Sequence, residues 1–148
     1  MLMILLIVVG QFVCTTLVFG IDVSRFGDFE GQKNIKVTLN DINGVPVTFA
    51  LSGGGHGEVS DDTAFSQITL DTTEKSAFSI TTKGKGITTS VGDITVNGPI
   101  KSITAKTTDL AGNITIDGSL GSLMLNNVSG DRIITIGSSS NPKAGVLM

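Results

Sequence analysis

The chain has 148 residues, which is enough for one domain with its own core and too short for two ordinary ones. Charged residues make up only 16% of it, and 10 basic against 13 acidic side chains give a net charge of -3. This balance argues against nucleic-acid binding, because phosphate neutralisation needs clustered lysine and arginine, and these residues are scattered here. Glycine, threonine and serine are abundant, so strands and tight turns are expected.

Residues 1–20 form an uncharged apolar stretch, since the first charged residue is Asp22. The stretch predicts a secretory signal peptide cleaved after Gly20, and hence a secreted or cell-surface protein. No basic residue precedes Asp22, so two alternatives stay open: a transmembrane anchor, and the first strand of a truncated solenoid. The single cysteine, Cys14, lies in this stretch, and no disulfide within the chain is expected.

The segment 21–63 is expected to form an N-terminal cap or hairpin region. Ile35–Leu39 alternates apolar and polar residues with the period of a strand, and Val45–Leu51 resumes that pattern. Between them, Asn43 and Gly44 form a pair that tolerates the positive φ angles of a hairpin turn. A hairpin is therefore predicted here.

From residue 64 to 148 the chain is expected to form stacked repeats. Ile94–Val96, Ile114–Ile116 and Ile134–Ile136 share an apolar, threonine, apolar pattern that recurs at a constant spacing along the chain. Side chains alternate across a strand, so stacked coils would place the isoleucines in an interior row and the threonines in an outer row. The pattern predicts an all-β fold, a parallel β-solenoid of the right-handed β-helix type with coils of about 20 residues.

Two other folds stay open. A leucine-rich repeat shares the spacing of Leu120, Leu123 and Leu125, although Val128 stands where that repeat has Asn or Cys. An antiparallel sandwich remains possible if the N-terminal hairpin sets the pattern for the whole chain.

The units Gly92–Ile103 and Gly112–Leu123 both read G-[DN]-I-T-[VI]-[ND]-G-x-[IL]-x-S-[IL]. They resemble the Gly/Thr/Ser-rich β-helical repeats of large secreted or surface-displayed bacterial proteins, such as adhesin-like and passenger-domain stalks. The resemblance implies a repeat protein of the cell surface with a structural role. It carries no functional residues to this chain, because solenoid repeats look alike for physical reasons.

The one histidine, His56, lies in the glycine-rich segment Ser52–Gly57, which is expected to be a loop. No nucleophile motif accompanies it, so we expect a solvated loop histidine rather than a catalytic base. Together with Glu58, Asp61 and Asp62 it offers donors for a metal ion, but the group lacks the ligand spacing of a zinc site.

Carbohydrate-active β-helix enzymes need paired carboxylates on one face. Equivalent positions one coil apart carry Asp93 with Asn113 and Asn97 with Asp117, so two carboxylates coincide in neither pair. We therefore predict no catalytic, cofactor-binding or metal-binding residues, and no cofactor.

The function predicted from the sequence is a non-catalytic extracellular structural or adhesive module, complete or as a fragment of a longer surface protein. The alternative is a polysaccharide lyase or hydrolase-like β-helix enzyme, or a fragment of one, which two carboxylates within about 10 Å in one groove would favour. Expected partners are a second copy stacked end to end, further coils of a longer chain, and cell-surface glycans or proteins. No nucleic acid is expected, and the membrane is expected to be met only through an uncleaved segment 1–20.

Overall fold

The computed structural model describes residues 22–137, and the predicted segment 1–20 and the chain beyond residue 137 lie outside that range. Strands hold 64% of the described residues, which include no helix, so the predicted all-β fold is confirmed. It follows that no helix in this range is long and apolar enough to cross a membrane. The strands are β1 Val23–Phe29, β2 Gln32–Asn40, β3 Pro46–Ser52, β4 His56–Ser60, β5 Gln67–Asp71, β6 Ala77–Thr82, β7 Thr89–Val91, β8 Asp93–Asn97, β9 Ile100–Leu110, β10 Ile114–Asp117, β11 Leu120–Val128 and β12 Ile134–Ile136.

These strands form one mixed sheet that curls into a half-barrel. The order is β11-β9-β6-β3-β2-β1-β4-β5-β8-β10-β12, and β7 pairs with β9. Pairing is antiparallel in the centre, from β6 through β3, β2, β1 and β4 to β5. It is parallel in the two outer parts, β5-β8-β10-β12 and β6-β9-β11. The sheet as a whole is therefore not a parallel solenoid, because hairpins occupy its centre.

Tight turns explain the antiparallel centre. The predicted hairpin is present as β2 and β3, where Val37 lies opposite Phe49 and Gly44 has a φ of 77° in the turn. A second hairpin, β1 with β2, is not evident from the sequence pattern. Its two linking residues, Glu30 and Gly31, have φ angles of 52° and 78°, which is the geometry of a two-residue hairpin turn.

Parallel strands in β5, β8, β10 and β12 place Ile68, Ile94, Ile114 and Ile134 directly opposite one another. The first three isoleucines are fully buried and the fourth packs partly buried against the core. The interior row predicted for β8, β10 and β12 is thus confirmed. The row continues into β5, which the repeat pattern does not include, since the chain takes a longer path from Ile68 to Ile94 than from Ile94 to Ile114.

Aromatic side chains fill the core beneath the antiparallel strands. Phe26 stacks on Phe78 with ring centroids 5.7 Å apart, and Phe49 meets Phe65 edge to face at 5.1 Å. All four rings are buried: Phe26, Phe49 and Phe78 lie in strands, and Phe65 lies in the loop before β5. Aliphatic rows replace them beneath the parallel strands.

Neither alternative fold agrees with these pairings. An antiparallel sandwich is wrong for the second half of the chain, where β8, β10 and β12 run parallel. A leucine-rich repeat needs a helix or 3₁₀ turn after each strand, and the described residues contain neither.

Replacing a residue of the interior row should cost far more stability than replacing its outward neighbour. Ile114→Ala leaves a cavity in the row, and we expect a loss of about 2–5 kcal/mol in the free energy of unfolding, measured by urea denaturation. Thr115→Ala, one residue along the same strand and exposed, should change it by about 0.5 kcal/mol or less. Equal losses in the two variants would show that the row is not the core of the fold.

Candidate functional site

The outward side chains of β4, β5, β8 and β10 form a continuous surface, which we call the polar face. Its middle row is threonine: Thr69, Thr95 and Thr115 lie in register, and Thr135 of β12 extends the row. Neighbouring strands in a sheet lie about 4.8 Å apart, so the hydroxyl groups repeat at that interval. The outer threonine row predicted for β8, β10 and β12 is therefore present.

Charged and amide side chains join at one end of the polar face. Arg25 Nε donates to Glu58 Oε2 at 2.9 Å, across the β1–β4 pair. Asp71 is shared: its Oδ2 lies 3.1 Å from His56 Nε2, and its Oδ1 accepts a hydrogen bond of 3.1 Å from Asn97 Nδ2. These five residues connect four adjacent strands where the antiparallel and parallel parts of the sheet meet.

The loop expected at Ser52–Gly57 is present at Gly53–Gly55, but His56 is not part of it. The loop ends at Gly55, and His56 is the first residue of β4, opposite Asp71 in the sheet, with its side chain 45% exposed. The strand can begin so soon because Gly53 and Gly55 both adopt positive φ angles and complete the reversal of the chain.

The four donors weighed for a metal ion are not brought together. Glu58 pairs with Arg25, whereas Asp62 lies in the loop before β5 and accepts hydrogen bonds from Ser66 Oγ and from the Ala64 amide. Burial of Asp62 raises its pKa, but these hydrogen bonds outweigh that effect and hold the pKa below its ordinary value. Among residues 22–137, no group of three His, Cys, Asp or Glu side chains could hold a metal ion.

Carboxylates and amides at equivalent positions stabilise the stack of strands. Asp93 Oδ1 accepts a hydrogen bond of 2.8 Å from the backbone N–H of Asn113. Asn113 Oδ1 in turn accepts one of 2.9 Å from the backbone N–H of Ile133. Each side chain thus ties its own segment to the one that begins the next parallel strand. Sequence reasoning placed these two residues one coil apart and did not foresee the bond.

Two carboxylates do approach each other on the polar face. Glu58 and Asp71 occupy diagonal positions in the β4–β5 pair, where Cα atoms lie about 7–8 Å apart. Sequence reasoning missed this pair because it compared positions one repeat apart, and Glu58 belongs to an antiparallel strand outside the repeat. Both side chains have partners already, Arg25 for Glu58 and His56 for Asp71.

A separate cavity of about 490 Å³ lies where the β2–β3 turn approaches the corners that precede β8 and β10. Asp41 lines it and is only 6% exposed. Asp41 Oδ1 accepts hydrogen bonds from the amides of Asn43 and Val45, and Oδ2 accepts one of 2.8 Å from Thr89 Oγ1. Burial alone raises the pKa of Asp41, but the three bonds outweigh it and bring the pKa below its ordinary value of 3.8.

Comparisons with protein-family models, curated proteins and solved structures found no significant match to this chain. The resemblance to β-helical repeats of surface proteins therefore stays a prediction from the sequence.

The lowered pKa of Asp41 predicts a pH-dependent contribution to stability. A carboxyl group whose pKa is lower in the folded than in the unfolded chain stabilises the fold above the unfolded value of 3.8. That stabilisation is lost as the pH falls through the lower folded value. Asp41→Asn should therefore unfold more easily than the unchanged chain by about 1–3 kcal/mol at neutral pH.

The measurement is urea denaturation of both proteins between neutral pH and about pH 2, where carboxyl groups titrate. The difference in unfolding free energy should stay constant down to about pH 5 and then shrink. Asp131→Asn, which removes an exposed carboxylate, is the control and should show no such difference. If the difference in unfolding free energy between Asp41→Asn and the unchanged chain remained the same at about pH 2, the lowered pKa of Asp41 would be contradicted.

Proposed function

We propose that the chain is a non-catalytic structural or adhesive module displayed outside the cell, and that β5–β12 are coils of a β-solenoid. The observation that carries the proposal is that paired residues are equally far apart in sequence in the two parallel parts of the sheet, which we call its arms. Ile94 lies opposite Ile114 on one arm, and Ile103 lies opposite Leu123 on the other, and the same length of chain separates the members of each pair. An equal step on opposite arms is what one turn of a stacked coil produces.

The polar face supports a role in display or contact rather than catalysis. Its threonine row has a constant spacing and no aromatic side chain interrupts it among the described strands. The carboxylates beside it are held by neighbours, since Glu58 pairs with Arg25 and Asp71 binds both His56 and Asn97. A regular surface of short polar side chains offers many equivalent contacts to an extended partner.

Location and partners follow from the same proposal. The secreted or cell-surface location rests on the apolar segment 1–20 and on the repeat pattern. Stacking against a second copy or further coils, and contact with cell-surface glycans or proteins, stay predictions. Strands β11 and β12 stand at the two ends of the sheet order, and the apolar residues Met124 and Ile133 beside them are exposed, which favours contacts of this kind.

The alternative, a carbohydrate-active enzyme, has one observation in its favour. Glu58 and Asp71 lie at diagonal positions on one face of the sheet, and glycoside chemistry needs a pair of carboxylates on one face. The arrangement differs from such a site in that both carboxylates already have basic partners, Arg25 and His56.

Inserting one extra coil tests the solenoid. A second copy of Gly92–Ala111, placed directly after Ala111, should fold and lengthen the particle by about 4.8 Å, because each coil adds one strand spacing to the stack. The measurements are small-angle X-ray scattering and urea denaturation.

The matched control inserts only the first half of that unit, Gly92–Lys101. Half a coil would move each following strand to the opposite arm of the sheet, where its side chains do not fit the core. This variant should therefore unfold at a lower urea concentration than the full-coil insertion. If the full-coil insertion is as destabilised as the half-coil insertion, β8–β11 are not repeating coils.

A turnover assay separates the module from the enzyme. The full chain is incubated with polygalacturonate, chitin and cellulose, and the released reducing ends and unsaturated products are measured. We expect no product above that of heat-denatured protein. Product that forms with the unchanged chain and disappears in both Glu58→Gln and Asp71→Asn would overturn the proposal in favour of the enzyme.

A further inference from the structure

The two arms of the sheet end at different levels. Strand β10 leads directly into β11 and pairs with β12, so β12 lies one strand beyond the level of β10 and β11. On the other arm, no strand of residues 22–137 pairs with the outer edge of β11. The end of the sheet therefore has a place for one more strand beside β11, across the core from β12.

The interior next to that place is incompletely covered. Leu125 and Val128 of β11 pair with Ala105 and Leu110 of β9, which are fully buried. Leu125 and Val128 are themselves only partly buried. A further strand beside β11 would remove more of their apolar surface from water, which is favourable.

The backbone of β11 directs a regular set of hydrogen-bonding groups to the same place. Ser119 C=O accepts a hydrogen bond from β9 at one end of the strand, and Ser129 N–H donates one to β9 at the other. Alternate residues of a strand direct their backbone groups to opposite sides, so the odd-numbered residues face β9. The even-numbered residues, among them Ser122 and Met124, direct their N–H and C=O groups to the outer edge.

The chain reaches this edge directly after β12. Gly137 N–H donates to Ile116 C=O at 2.9 Å, so Gly137 lies beside Asp117. Asp117 is the last residue of β10, and the corner that follows it leads into β11. A step of 20 residues, as between β9 and β11, sets residues 140–148 against Leu120–Val128, a strand of the same length of 9 residues.

The sequence of that segment fits an outermost strand. In this register the backbone groups of residues 141 and 143 face Ser122, and those of Pro142 face away. The missing N–H of Pro142 therefore costs no bond to β11, and it removes a donor from the new edge. Lys143 stands at the position of Leu123, and an inward-directed charge is one of the devices that stop a further strand from adding to an edge.

We propose that the outer edge of β11 is the docking site of residues 140–148, which pair with it in parallel and close the sheet on that arm. A second folded copy does not fit beside β11, because its own strands would meet β12 across the core. A second copy can then add to the sheet only at β12. The inference rests on the observed pairings of β9 to β12 and not on the proposed role outside the cell.

Amide hydrogen exchange of the ¹⁵N-labelled full chain tests this docking. The N–H groups of Ser122 and Met124 should exchange at least about tenfold more slowly than exposed amides, because each is bonded to the docked segment. The Leu123 N–H faces β9 and is the internal control. It should be protected whether or not the segment docks.

Gly145→Pro is the decisive variant. The N–H of residue 145 faces Met124 in this register, so proline there removes a ladder bond and sets its ring against β11. Exchange at Ser122 and Met124 should become at least about tenfold faster, whereas the Leu123 amide should remain slow. The matched control is Val146→Pro, at a position whose N–H faces away from β11. It should leave the rates at Ser122 and Met124 within about twofold of those in the unchanged chain.

Three results would overturn the proposal. Amides of Ser122 and Met124 that exchange as fast as exposed ones in the full chain would show that nothing covers the edge. Equal acceleration in Gly145→Pro and Val146→Pro, or acceleration in neither, would show that the segment does not pair in this register. Protection that increases with protein concentration would identify a second copy as the occupant.

Discussion

Close stacking of the backbone at the corners of the sheet is the constraint on which the second half of the structure depends. Strands that pair in parallel at about 4.8 Å bring their corners equally close. A Cβ atom added at Gly92 would collide with the backbone of Ser66, and one at Gly112 would collide with that of Gly92. Glycine at these corners therefore allows each turn to lie directly on the preceding one. The in-register rows of isoleucine and threonine follow from that contact.

The sequence identifies the isoleucine row where the chain repeats and the β2–β3 hairpin where it does not, but it conceals other pairings of the sheet. A constant step from Ile94 to Ile114 to Ile134 identifies the isoleucine row, because equal lengths of chain between parallel strands place equal residues in register. Ile68 joins the same row after a longer step, and the longer connection conceals it from a search for fixed periods. The prediction of a loop at His56 fails for a related reason. Glycine content predicts a bend but does not say at which residue the next strand begins.

Partners contributed by antiparallel strands are the least predictable part of the site. Asp71 of β5 contacts His56 and Asn97. His56 comes from the antiparallel strand β4, which precedes β5 in the chain, and Asn97 comes from the parallel strand β8, which follows it. Only the second of these belongs to the repeat. Pairing across a hairpin depends on its turn and register, and a shift by one residue would turn every side chain of that strand to the other side of the sheet. The sequence pattern alone does not determine that register.

Strands β8, β10 and β12 allow an internal comparison of a charged and a neutral side chain at one position. Where two neighbouring parallel strands carry different residues at one position and both make the same bond, the backbone arrangement does not depend on the difference between the residues. Asp93 and Asn113 satisfy this condition, since the side chain of each accepts a hydrogen bond from the backbone N–H 20 residues later. Asp93 is exposed, and a hydrogen bond to its ionised carboxylate is stronger than the corresponding bond to the neutral Asn113 side chain. The parallel pairing of β8 and β10 therefore accepts a carboxylate beside one strand and an amide beside the next without a change in register.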